Sequence, residues 1–169
     1  MISPGAAIAT VCECRFLIVF VLGLRVATEG SRWTIRGVLI DLATGAVAPA
    51  TIDHFPNRSH DEPLQAHEAH DAIASALRGH EIGAVVLREA DHHGRAGLTA
   101  GTKKRLRLEG ACLSACRATG VPVSIMDGKA IGTAIGGSKN DAWAAANMLG
   151  VADESVDAAA AALAAKTLL

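Results

Sequence analysis

Three acids stand close together near the end of the chain, Asp153, Glu154 and Asp157, ahead of an alanine tract. Glu154 and Asp157 are three apart and Asp153 and Asp157 four apart, so on a helix either pair shares a face and can present two carboxylates to one site. Acids in a first helical turn also complement the helix dipole, whatever the function. Glu89 follows Ile82 to Leu87, a Val/Ile/Leu run that reads as a buried strand, and is either a site carboxylate or an ordinary strand-end acid. Lys103-Lys104-Arg105-x-Arg107 opens a helical stretch just after Gly101-Thr102. Cations at a helix N-terminus suit a phosphate backbone, and equally make a solvated face. Arg95 and Lys139 could extend the patch.

Histidine and cysteine offer a competing chemistry. His67 and His70 share a helix face, and Asp91-His92-His93 lies in a loop beside Glu89, a donor set for zinc or manganese that lacks a third ligand fixed in sequence. Cys12 with Cys14 and Cys112 with Cys116 make no CxxC frame and read as reduced thiols, so a cytoplasmic protein is expected. Gly128 to Gly137 has neither the Lys-Ser/Thr of a P-loop nor a dinucleotide fingerprint, and no cofactor is assigned to it. With two Trp, three Phe and no Tyr, stacking on single-stranded bases is not supported.

These residues must be positioned by a single domain. The 169 residues leave room for one core of ordinary size, and a half-hydrophobic composition with a mean hydropathy of +0.30 excludes a disordered or collagen-like chain. Sixteen Lys and Arg against seventeen Asp and Glu give a net charge of -1, so nucleic-acid binding would need a local basic patch. The apolar run Phe16 to Leu24 is short of the roughly 20 residues that span a bilayer, and no membrane partner is expected. No Lys or Arg precedes residue 15 and Ala27-Thr28-Glu29 is a poor cleavage site, which argues against a secretory leader.

Residues 1–14 are expected to be an N-terminal extension outside the fold, and 15–169 one domain. Strands are expected over Arg15 to Val26, Arg32 to Asp41 and, at an edge because of Pro49, Ala46 to Ile52. A helix capped by Asp61 or Ser59 runs to Gly79, followed by the strand to Leu87, a helix from Thr102 to Thr119 closed by Gly120, and a strand Val121 to Met126. Ser138 caps a helix through Leu149, and Ala152 or Asp153 opens the last one.

Three antiparallel strands followed by alternating helix and strand is the order of the RNase H-like α/β fold, a mixed five-stranded sheet with flanking helices. Leu22-Gly23-Leu24-Arg25, Ile82 to Glu89, Lys103 to Cys116, Val121 to Met126, Ser138 to Leu149 and Asp153 to Ala165 resemble the successive blocks of RuvC-type Holliday junction resolvases and small RuvC-like families. The resemblance implies a divalent-metal-dependent endonuclease acting on nucleic acid, with DNA ahead of RNA and junction, duplex and RNA substrates all open, and with Mg²⁺ or Mn²⁺. It implies Glu89, Glu154 and Asp157 as catalytic carboxylates, these with Asp153 as metal ligands, and a homodimer matched to a symmetric junction, while the cations Lys103, Lys104, Arg105, Arg107 and Lys139 are the contacts expected to nucleic acid from their own charge and placement.

The first metal position departs from that pattern. Resolvases place Asp after the apolar-Gly-apolar run, where this chain has Arg25, a fixed cation that cannot ligate a metal. A hairpin near Gly30 would pair Arg25 with Thr34 or Ile35 and leave Asp41 opposite Ile18; Glu29 lies about 13 Å along the strand. Arg25 is therefore expected to bridge to Glu89, or to reach Glu154 or Asp157, filling a metal site rather than building one. The alternative implied is a catalytically degenerate nucleic-acid-binding or assembly module.

Overall fold

The computed structural model describes residues 19–49, 51–91 and 99–169. The expected extension over residues 1–14, and His92, His93 and Arg95, lie outside them. Strands β1 (Phe20–Glu29) and β2 (Arg32–Asp41) form a hairpin, and β3 (Ile52–His54) follows at the sheet edge. Then come α1 (Glu62–Gly79), β4 (Ile82–Arg88), α2 (Ala100–Thr119), β5 (Val123–Met126), α3 (Gly128–Ala134) and α4 (Lys139–Asn147). A 3-10 turn at Asp153–Ser155 leads into α5 (Val156–Ala165). The sheet order is β3-β2-β1-β4-β5, antiparallel from β3 to β1 and parallel from β1 to β5.

Alternation along the strands divides the core. Leu22, Leu24, Ile35, Leu39, Val85 and Leu87 pack under α1 and α2, whereas Val21, Val38, Ile40, Ala84 and Val86 pack under α3, α4 and α5. Helix α5 is buried on nearly every side, and its alanines let it sit low on the sheet. Gly23 is what permits this: a Cβ there would overlap the backbone of Ala158 and Ala162.

The caps follow from their residue types. Asp61 accepts the Leu64 N–H at 2.9 Å, Thr99 accepts the Thr102 N–H at 3.1 Å, and Ser138 forms a reciprocal capping box with Asp141. Gly120, at φ 76°, closes α2. The glycine-rich stretch 128–137, ambiguous in sequence, forms α3 under an Asp127 cap.

Four expectations are corrected. The described first strand runs from Phe20 to Glu29, past Val26, because Gly30-Ser31 is a two-residue turn that keeps Glu29 paired with Arg32. That turn pairs Arg25 with Arg36, not Thr34 or Ile35, and Asp41 with Phe20. The third strand is shorter and later than Ala46 to Ile52, with Val47 making only an isolated bridge to Ile40. The last helix begins at Val156, so Asp153 and Glu154 lie in a preceding 3-10 turn and do not share a helical face with Asp157.

Candidate functional site

The register sets three arginines abreast. Arg36 on β2 pairs with Arg25 on β1, and Arg25 pairs with Arg88 on β4; Asp53 and Met126 extend the row to the two edges. Directly opposite residues share a face, so all three guanidiniums belong to the side covered by α5, with strands about 4.8 Å apart. Like charges that close require counter-ions. Arg36 donates to Glu29 at 2.8 Å and to Asp53 at 2.6 Å. Arg25 is ion-paired to Asp157, whose other oxygen lies 3.7 Å from Arg88 Nε. Arg88 donates to Asp91 at 3.1 Å.

Asp91 ties this row to the helices. It accepts the Gly128 N–H at 3.1 Å and a hydrogen bond from Lys139, which is the first residue of α4. The Lys139 bond, aided by the Gly128 N–H and Arg88 and opposed by partial burial, holds its carboxyl down at about 2. Burial lowers the pKa of Arg25, and the adjacent Arg88 lowers it further, while Asp91 opposes the shift.

These groups border a cleft of about 460 Å³ lined by Arg25, Arg88, Arg105, Lys139, Asp91, Asp157, Trp33 and Trp143 among others. Both tryptophans of the chain are therefore here. The Arg88 guanidinium and the Lys139 ammonium lie 5.4 and 5.3 Å from the Trp143 ring centroid. Arg105 reaches the cleft from α2 with its Nε 3.3 Å from Glu109.

The residues singled out from sequence are distributed as follows. Asp157 is buried in the row, and Arg105 and Lys139 line the cleft. Glu154 is half exposed and leans toward Arg36 at 3.8 Å, away from the Arg25 side, and Asp153 is exposed. Glu89, the residue just past β4, donates its N–H to Met126 O at 2.9 Å. The bridge expected between Arg25 and Glu89 is made to Asp157 instead. Arg107 pairs with Glu62 of α1, while Lys103 and Lys104 have no carboxylate within 4 Å among the described residues. His67 pairs with Asp71 at 3.3 Å. Cys112 and Cys116 are packed thiols, with burial pushing Cys116 up to about 11 and Cys112 higher still.

Sequence reasoning passed over Arg88 and the two tryptophans, and read Asp91 only as a neighbour of His92 and His93 in a donor set rather than as the partner of Arg88 and Lys139. Parallel pairing of the first and fourth strands carries the signal for Arg88, because it places the two strand-end arginines side by side.

A divalent ion does not fit this donor set. Mg²⁺ requires hard oxygen ligands, and at this register the two oxygens of Asp157 face cations, one ion-paired to Arg25 and the other 3.7 Å from the Arg88 guanidinium. Among the described residues, no group of three or more His, Cys, Asp or Glu side chains is arranged to hold a metal ion. No described helix is long and apolar enough to cross a membrane.

No protein-family model matches the chain, and no curated protein matches it in sequence. Among solved structures it is similar to RuvC of Thermus thermophilus, with a TM-score of 0.64 and 19% identity over 86% of this chain and 92% of that one. It is similar as well to T. thermophilus RuvC in complex with a Holliday junction substrate, with a TM-score of 0.63 and 18% identity over 88% and 91% of the two chains. The order of elements, the mixed sheet and these superpositions together give the chain a RuvC-like, RNase H-like fold.

Proposed function

We propose that the protein is a nucleic-acid-binding module on a RuvC-like fold that does not cut by metal-dependent hydrolysis. The single observation that carries this is Asp157 held between Arg25 and Arg88, since a carboxylate so neutralised neither attracts nor ligates a divalent ion. Binding is supported by Lys103 and Lys104, without a described carboxylate partner at the start of α2, and by Arg105 and Lys139 in the cleft beside it. The solved T. thermophilus complex makes a four-way DNA junction the first substrate to try.

The test pairs two measurements on the same protein. Calorimetric titration with Mg²⁺ and Mn²⁺ should show no tight binding, and a labelled four-way junction should be bound at low salt and not nicked. Replacing Lys103 and Lys104 by Ala should weaken binding and reduce the salt slope by about 0.9 for each lost phosphate contact. Light scattering of the same complexes reads whether two copies assemble on the junction. Robust Mg²⁺-dependent nicking, abolished by Glu89→Gln or Asp157→Asn, would restore the endonuclease reading. Absence of DNA and RNA binding at low salt would remove the nucleic-acid reading altogether.

A further inference from the structure

The cleft has more donors than its acids can satisfy. Arg88 is about nine-tenths buried, and its Nε and Nη1 have no hydrogen-bond partner among the described residues, since the Asp157 oxygen at 3.7 Å is beyond hydrogen-bond range. A buried guanidinium left with unmade hydrogen bonds is costly, and an anion entering the cleft would complete them. Four cationic side chains line the cleft against the carboxylates of Asp91 and Asp157. Even with Glu109 answering Arg105 from behind, a positive excess faces the opening.

Size and aromatic lining narrow the class of anion. About 460 Å³ is more than a bare oxyanion fills and falls within the roughly 300–1,000 Å³ of small-molecule sites. Trp33 and Trp143 both line it; Arg88 and Lys139 lie beside Trp143, whereas Trp33, partly buried against the α1 and α2 cluster, has no described cation over its ring and is the indole a flat ring would meet.

We infer that this cleft is a metal-independent site for a phosphorylated nucleotide, with the phosphate on Arg88, Arg25 and Lys139 and the base against Trp33. The inference rests on the proposed function in one respect, that no divalent ion occupies the space beside Asp157. The nucleotide is either free or the phosphorylated end of a strand, and the two sources are separable by experiment.

Because both tryptophans line the cleft, intrinsic fluorescence reports on it directly. With EDTA present, adenosine 5′-monophosphate should change the emission saturably and more tightly than inorganic phosphate or adenosine. Arg88→Gln should weaken that affinity about tenfold or more, as loss of charge-assisted bonds does. Arg25→Gln, at a more exposed position, should weaken it in the same direction if Arg88→Gln fails to fold. Competition with oligonucleotide duplexes bearing a 5′-phosphate or a 5′-hydroxyl then identifies the source: a preference for the phosphorylated end assigns a strand terminus, and none assigns the free nucleotide. No saturable change at millimolar adenosine 5′-monophosphate, or equal affinity for inorganic phosphate, would overturn the inference while leaving duplex binding and the proposed function standing. Saturation only with added Mg²⁺ would overturn both.

Discussion

Arg25 and Arg88 are register partners across the parallel strands β1 and β4, and the carboxylate that answers both comes from a single residue of α5, Asp157. Two guanidiniums side by side repel, so the carboxylate is part of what lets these strand ends remain in the sheet.

Removing that carboxylate should cost more than an ordinary surface ion pair. Asp157→Asn keeps the shape and deletes the charge, leaving a buried Arg88 beside Arg25. We expect a loss of about 3 kcal/mol in urea unfolding, the low end for breaking a buried pair because Arg25 is partly exposed. A change within about 0.5 kcal/mol, typical of surface substitutions, would show that the arginines are neutralised by other groups.

Converting the row into a metal site requires both arginines to change. Arg25→Asp alone supplies an oxygen ligand and leaves Arg88 against Asp157, so calorimetry should find little gain in Mg²⁺ or Mn²⁺ affinity. Arg25→Asp combined with Arg88→Glu places three carboxylates together and should bind the ion measurably. If the single variant gains as much as the double one, Arg88 does not compete for the site.

Much of the frame was legible because strong local signals agreed with the fold. The antiparallel start, the Val/Ile/Leu run of β4, the Ser138 and Gly120 caps and the departure at Arg25 all depend on residue type and short-range order. The site was less legible because it depends on register, and sequence does not display which strand residues face each other. A shift of one or two places in the hairpin moved Arg36 beside Arg25, and one place on β4 exchanged Glu89 for Arg88. The separation of Glu154 from Asp157 had a similar origin, since a 3-10 turn where a continuous helix was expected breaks the shared face.

The position of Asp157 depends on how low α5 lies, and Gly23 controls that height. A methyl group there meets the backbone of Ala158 and Ala162, which cannot swing aside as a side chain would. Gly23→Ala should therefore destabilise by about 3 kcal/mol, the upper range for overpacking, and should alter tryptophan emission as α5 lifts from the cleft. Because the obstacle is helix backbone, trimming a side chain of α5 should not rescue the variant. A native midpoint and unchanged emission in Gly23→Ala would show that α5 is free to rise without loss.

Acid should disconnect Asp91 in a defined window. Its carboxyl sits at about 2 when folded against an ordinary 3.8, chiefly through the hydrogen bond from Lys139. A depressed carboxylate contributes stability above the unfolded value and loses it as pH falls through the folded one. The stability of the wild type minus that of Asp91→Asn should therefore be constant above about pH 5 and narrow between about pH 4 and about pH 2. Lys139→Ala should shrink the same gap already at neutral pH, because the strongest partner of the carboxylate is gone. Urea midpoints for the three proteins across that range measure it, and a gap that stays constant down to about pH 2 would mean that Asp91 carries no such shift.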